Sequence, residues 1–359
     1  MKKIFSLLCK LSAILIAFLL IILLITPVFI PKFTGEFPTT SVIDGFYALP
    51  EHHIDVLFLG SSQIMTSVSP MRIYEQYGYT GYNLGTEQQN MIASYYLLKE
   101  ALKYQDPQIV VLDIMFLFPY TPESLLNSKE EFVRKSIDCM KWSENKLEFV
   151  KTVCDLDSAH EFRNYLFPFI RYHSRWSDLS LSDVSYLFQD KNNPLRGFSI
   201  AGCVEDSEDL FEGFTPKDKD AKEDLLPVME EYFYKIVNLC KERNISLVLI
   251  KTPKADGSFS EAKHNSIQQI ADEEQLSFID FNEKSVYDAA DFHAETDYND
   301  STHINYYGAY KISDYLADYL FNNYSLTDHR ADTDYDYWNK DLEIYTQKTS
   351  FPIWSVFHL

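Results

Sequence analysis

Basic residues are scarce in this chain. Lys and Arg number 32 against 53 Asp and Glu, a formal net charge of −21. A nucleic-acid partner needs a basic face, so that class of partner is excluded, and a phosphate-rich polymer could be met only at a local basic patch. Cysteine is also sparse, with five in 359 residues. None has metal-ligand spacing; outside the cytoplasm Cys139, Cys154, Cys203 and Cys240 could pair in three ways, and the sequence singles out none of them. Cys240 falls on the apolar side of a predicted helix and is expected to be buried. No internal repeat is visible, and the acidic run "DSEDLFEGFTPKDKDAKEDL" lacks EF-hand ligand spacing, so it reads as a solvated face rather than a calcium site.

The N-terminus lacks something more telling. "MKKIFSLLCKLSAILIAFLLIILLITPVFIPKF" has no polar face, which excludes a buried amphipathic helix. The stretch from Leu11 to Ile30 has about the twenty residues a membrane span needs. No small-x-small cleavage site follows it, and no cysteine follows to take a lipid; Cys9 precedes it. The expectation is an uncleaved anchor. Lys2, Lys3 and Lys10 hold its front end in the cytoplasm, so the remainder lies outside the cell membrane.

The chain is rich in apolar residues (46%), with 25 Tyr and 26 Phe, enough to bury a full core. Tyrosine rings also suit sugar surfaces, although most of these are expected inside. After the anchor, strands alternate with helices. Strands are predicted at Ile54–Leu59, Tyr82–Leu84, Ile109–Ile114, Ile245–Ile250 and Leu276–Phe281. Helices are predicted at Pro70–Tyr77 (capped by Ser69), Met91–Tyr104, Val228–Arg243, Ser260–Glu274 and Asn305–Phe321. This order predicts an α/β fold: a flavodoxin-like parallel sheet of about five strands flanked by helices. Between Phe118 and about Leu226 the alternation fails. That part reads as a helical insertion, a lid or substrate platform over the carboxyl edge of the sheet. The expected division is an anchor at 1–32, sheet segments at 33–118 and 226–325, the insertion at 119–225, and an aromatic tail at 326–359 that packs on the body.

Sites in parallel sheets lie at the carboxyl ends of strands. The first strand ends in "LFLGSSQ", at Gly60-Ser61-Ser62. Gly and Ser are ordinary turn residues, so this is either a turn or a nucleophile held at the sheet's carboxyl end. A serine needs a base, often oriented by a carboxylate. Of nine histidines, His303 in "YNDSTHINYYG" stands three residues after Asp300 and just before the last helix. Alone it reads equally well as a surface histidine in a helix-entry loop. In the insertion, "RYHSRW" sets Arg171 and Arg175 four apart with His173 and Trp176. These read either as a clamp for phosphate or carboxylate with a sugar-stacking ring, or as a helix pairing its Arg with acids such as Asp178. Lys191 and Arg196 could extend the patch.

Gly-x-Ser after the first strand, a Gly-ended second strand and Asp-x-x-His before the last helix occur here in one order. That order resembles the SGNH (GDSL-like) hydrolase superfamily. The resemblance implies an SGNH hydrolase fold, with Ser62 as nucleophile, His303 as base and Asp300 as its orienter. The backbone N–H groups of Ser62 and Gly85 would form the oxyanion hole. Two departures stand out. Ser61 replaces the family's usual Asp, and "VVLDIMFLFPY" lacks the Asn that the third block brings as an oxyanion donor. Gln88, Gln89 and Asn90 are the candidate replacements. The anchor, the Gly-Ser-Ser and the helical insertion resemble the exported branch that includes the D-alanine transfer protein of teichoic-acid alanylation and the alginate O-acetylation proteins. That branch implies a serine acyltransferase or esterase acting on a cell-surface glycopolymer beside a membrane-bound O-acyltransferase, with no metal and no organic cofactor. Two alternatives remain at this stage: a non-catalytic scaffold subunit of such a complex, and a membrane-anchored lipid esterase.

Overall fold

The structure, a computed structural model, describes residues 2–35, 37–118, 130–205 and 209–350. Part of the expected insertion, three residues of its acidic run and the last nine residues of the tail lie outside that set.

Five strands form one parallel sheet: β1 (Val56–Gly60), β2 (Gly81–Gly85), β3 (Ile109–Asp113), β4 (Ser246–Lys251) and β5 (Ser277–Asp280), in the order β2-β1-β3-β4-β5. All five lie where the sequence places strands, and β1, β3 and β4 read as apolar runs because a sheet covered by helices on both faces buries nearly every position. Val56 to Leu59 are each at most 1% exposed. The register pairs Leu59 with both Leu84 and Leu112, and Asp113 with Ile250. From β1 the chain turns one way to β2 and later crosses to β3 on the other side. That reversal makes the carboxyl end of β1 a topological switch point, the place where ligands bind in open α/β sheets.

The helices Pro70–Tyr77, Met91–Ala101, Pro227–Glu242, Glu261–Glu274 and Tyr306–Asn323 lie where the sequence pattern puts them. Ser69 caps the first, with its Oγ accepting from Arg72 N–H, and Cys240 is buried in the third. Two helices had no such signal. Thr39–Ala48 carries β-branched residues and Gly45, all poor helix formers. Gly45 is required there, since a Cβ would lie 2.4 Å from the Asn193 Cβ and 2.7 Å from the Tyr82 hydroxyl. Ser62–Ser67 is buried on every side and too short to display a period.

The chain divides into two compact units. One comprises the residues up to Phe33 together with Val150–Asp190; the other comprises Thr34–Phe149 and the chain from Lys191 onward, with the sheet. The insertion expected at 119–225 is therefore shared between them. In the first unit, the helix Lys2–Phe29 contains a candidate membrane span, Ile4–Phe29, of mean hydropathy 3.0 and with none of its apolar window buried. At 1.5 Å per residue, its 26 residues exceed the roughly 30 Å hydrocarbon thickness. In the second unit, the tail helix Asp336–Thr349 inserts Trp338, fully buried, beside Tyr74. Arg196 lies 4.3 Å over that indole and pairs at 2.5 Å with Asp341, both nearly inaccessible to solvent. Among the described residues no disulfide joins the cysteines.

Candidate active site

The carboxyl end of β1 is built by close packing. A Cβ on Gly60 would meet the Asp113 Cβ at 2.7 Å and the Ile64 side chain at 3.1 Å. Neighbouring Gly85 at the end of β2 is as tightly enclosed, by Met65 at 2.8 Å and Ile64 at 3.0 Å. These two glycines let the short helix Ser62–Ser67 lie directly against the ends of both strands. Ser61 is its N-cap, with Oγ accepting from Gln63 N–H at 3.3 Å. Ser62 is thus the first helical residue, and its N–H has no acceptor within the helix. Gly-Ser-Ser therefore marks a helix start rather than a turn.

Ser62 is 5% exposed, and its Oγ lies 2.9 Å from His303 Nε2. His303 Nδ1 lies 2.9 Å from Asp300 Oδ2 and 3.0 Å from Oδ1. A carboxylate only accepts, so Nδ1 carries the proton and Nε2 is left bare to accept from the Ser62 hydroxyl. This is the tautomer a general base requires.

The loop between them is short and strongly bonded. Tyr298 and Ile304 form an antiparallel bridge. Asn299 N–H donates to His303 O at 2.9 Å, and Asn305 N–H to Asp297 O at 2.9 Å. Asp300 Oδ1 accepts from Thr302 N–H at 2.8 Å, Thr302 Oγ1 at 2.9 Å and His303 N–H at 2.9 Å. Oδ2 accepts from Asn299 Nδ2 at 3.0 Å. Burial pushes the Asp300 carboxyl up, but the His303 and Thr302 bonds outweigh it and hold the group well below the usual carboxylate range. Asn305 caps the helix that follows, accepting from Tyr307 N–H and Gly308 N–H. The Phe37 ring packs on the His303 ring with centroids 4.8 Å apart.

A strap from the sheet-side part of the insertion ties the serine and histidine segments together, and no sequence motif marked it. Ser199 N–H donates to Met65 O, Asn83 N–H to Arg196 O, Tyr306 N–H to Ala201 O and Cys203 N–H to Asn299 Oδ1. Gly197 is the one readable sign. Its φ is +82°, and a Cβ would fall 2.0 Å from Asn83 O, so only glycine passes there.

The oxyanion candidates separate. Thr86 N–H donates to Gly60 O and Val56 N–H to Thr80 O. The alternation of a parallel ladder then turns the Gly85 N–H toward the open edge of β2. Asn90 is occupied as the N-cap of Met91–Ala101, its Oδ1 accepting from Ala93 N–H. Gln89 is buried, with Nε2 donating to Leu84 O at 3.4 Å and Ser94 Oγ at 3.1 Å. Both side chains hold the loop. Gln88 is half-buried in a left-handed backbone conformation. Beyond β3, Met115 brings its Sδ to 3.9 Å from Ser61 Oγ.

Arg171, His173, Arg175 and Trp176 belong to the first unit. The shared face that α-helical spacing predicts for the two arginines is lost, because the α-turn ends at Tyr172 and His173–Ser177 is a 3-10 segment with three residues per turn. Arg175 donates to Phe29 O at 2.6 Å and pairs with Asp183 at 3.2 Å rather than with Asp178. It caps the carboxyl end of the long apolar helix. His173 Nδ1 lies 2.8 Å from Ile170 O, and Trp176 is 74% exposed. Lys191 and Arg196 belong to the other unit, Lys191 lying 3.8 Å from Asp44 and Arg196 holding the tail. Among the described residues no group of His, Cys, Asp and Glu is placed to hold a metal ion.

No family model matches the chain, and no curated protein does. Among solved structures it is similar to one from Bacteroides fragilis described as "a putative acylhydrolase", at 12% identity and a TM-score of 0.34, covering 77% of this chain and 92% of that one. A likeness that distant carries no argument about activity, so the functional reading rests on the Ser62, His303 and Asp300 geometry.

Proposed function

We propose that the chain is a membrane-anchored serine esterase or acyltransferase of the SGNH type. It would move or remove an acyl ester, acetyl or D-alanyl, on a cell-surface glycopolymer. The observation that carries the reading is the continuous bond path from Ser62 Oγ through His303 to Asp300, with the imidazole in the base-competent tautomer. Ser62 Oγ attacks the ester carbonyl while His303 Nε2 takes its proton. The tetrahedral oxyanion is met by the Ser62 N–H at the start of its helix. His303 then gives the proton to the leaving alkoxide, and acyl-Ser62 remains. A sugar hydroxyl or a water, deprotonated by His303, attacks that ester and regenerates Ser62. The helix Lys2–Phe29 supports an anchor in the cell membrane, and the membrane-bound O-acyltransferase partner belongs to the same proposal.

The lack of an Asn donor in "VVLDIMFLFPY" favours a second reading, a scaffold subunit without turnover. Loss of one oxyanion donor costs on the order of 100-fold or more in rate, which slows a serine enzyme without abolishing it. The test is incubation of the full-length chain with 4-nitrophenyl acetate, followed by peptide mass analysis. Acetyl on Ser62, absent from Ser62→Ala, supports the enzyme. A folded chain that never acquires acetyl supports the scaffold.

A further inference from the structure

Gln63 follows Ser62, is 2% exposed, and has no role in the scheme above. Its Nε2 donates to Thr302 O at 2.8 Å. Its Oε1 accepts from Lys251 Nζ at 2.8 Å and from Thr252 Oγ1 at 3.2 Å. An amide can present either end to a partner, but an ammonium can only donate. Lys251 therefore dictates that the oxygen faces β4 and the NH₂ faces the histidine loop. Thr302 is the residue before His303, and its own N–H and hydroxyl bind Asp300.

We propose that Gln63 is a positioning residue that locks the His303 loop to the Ser62 helix, with Lys251 setting the orientation of its amide. The proposal rests on Ser62 being the nucleophile. Two adjacent residues of the helix, Ser62 and Gln63, hold two adjacent residues of the loop, His303 and Thr302. Asp300 and the Phe37 ring fix the imidazole within its own loop, and the Ser199–Cys203 strap joins that loop to the Ser62 helix only through a third segment. The Gln63 bond joins loop and helix directly, and displacement of a reacting group by about 1 Å can cost on the order of 100-fold in rate. The arrangement also accounts for a lysine at the end of a central strand. Lys251 is 1% exposed, and its remaining bonds go to Thr252 O and Oγ1. Burial lowers its pKa to about 8, against the opposing pull of the Asp113 carboxylate. Its donors are aimed at Gln63 and Thr252 rather than at substrate.

The test uses the full-length chain in detergent micelles and the rate of Ser62 modification by a fluorophosphonate, with Tm measured alongside. Gln63→Glu keeps an acceptor for Lys251 but loses the donor to Thr302 O. It is expected to slow labelling on the order of 100-fold, and with 4-nitrophenyl acetate to lower kcat while KM holds. Lys251→Met frees the amide to flip and should slow labelling about tenfold, a lesser share of the same effect. The decisive comparison is His303→Ala with and without Gln63→Glu. A residue that acts through His303 costs nothing further once His303 is gone. If a buried carboxylate unfolds the chain, Gln63→Met, uncharged and of similar shape, carries the same comparison. Labelling of Gln63→Glu within threefold of the parent, or an undiminished loss in the His303→Ala background, overturns the proposal. A parent that is not labelled refutes the nucleophile assignment instead. Crystal structures of parent and Gln63→Glu still decide the tether in that case: it predicts a Ser62 to His303 separation well beyond 2.9 Å in the variant, and an unchanged separation overturns it.

Discussion

Replacing Asp300 by Asn removes no atoms, yet it should disable the base. Oδ1 of Asp300 accepts from Thr302 N, Thr302 Oγ1 and His303 N and also lies 3.0 Å from His303 Nδ1, whereas Oδ2 accepts from His303 Nδ1 at 2.9 Å and from Asn299 Nδ2. An asparagine has one oxygen to offer, and the three-donor side claims it. Its NH₂ then takes the Oδ2 position and confronts His303 Nδ1. With Oδ1 already filled by three donors, the imidazole is expected to present a bare Nδ1 to that NH₂ and carry its proton on Nε2. In that tautomer Nε2 cannot accept from Ser62. A triad with the wrong tautomer loses on the order of 10⁴ in rate, about 5.4 kcal/mol of barrier at 1.36 kcal/mol per decade. The loop itself keeps its three Oδ1 bonds, so the variant should fold with a Tm close to the parent's. The assay is the second-order rate of fluorophosphonate modification of Ser62, by intact mass, beside a thermal melt. An Asp300→Asn chain that folds and labels within tenfold of the parent would refute the tautomer argument.

Three further outcomes follow from the same contacts. Gly60→Ala would drive a Cβ to 2.7 Å from Asp113, so it should cost about 1–3 kcal/mol in a urea melt and slow Ser62 labelling as the helix shifts. Trp338→Ala should cost about 3–5 kcal/mol, because the indole is fully buried under Arg196 and beside Tyr74; a melt unchanged within error would mean the tail helix does not dock. Lys251 has a folded pKa of about 8, below the roughly 10.4 of an unfolded lysine. Between those values the unfolded chain binds more protons, so stability rises with pH across that window. Lys251→Met should remove that part of the rise in Tm between about pH 8 and 9.5, and an unaltered slope would contradict it.

How much of this was legible in the sequence differs from element to element. The sheet strands were, since burial on both faces writes itself as "VLFLG" and "IVVLD". Ser62, His303 and Asp300 lay in two short motifs, each equally readable as a plain loop, and only the resemblance of their order to SGNH hydrolases grouped them; the structure joins the three side chains in one bonded path. Gln63, Lys251 and the Ser199–Cys203 strap were not legible. Their roles depend on bonds between segments up to 239 residues apart (Gln63 to Thr302), which no local period encodes. The Arg171 and Arg175 pair misled for the opposite reason. Four-residue spacing implies a shared face only in an α-helix, and a 3-10 turn intervenes.

The central claim is that Ser62 is activated by His303. It is tested most directly by exposing the full-length chain in detergent micelles to a fluorophosphonate and measuring intact mass, with Ser62→Ala and His303→Ala in parallel. The account predicts a single adduct on the parent, absent from Ser62→Ala and strongly suppressed in His303→Ala. A folded parent with no adduct, or an adduct that survives in Ser62→Ala, would contradict it.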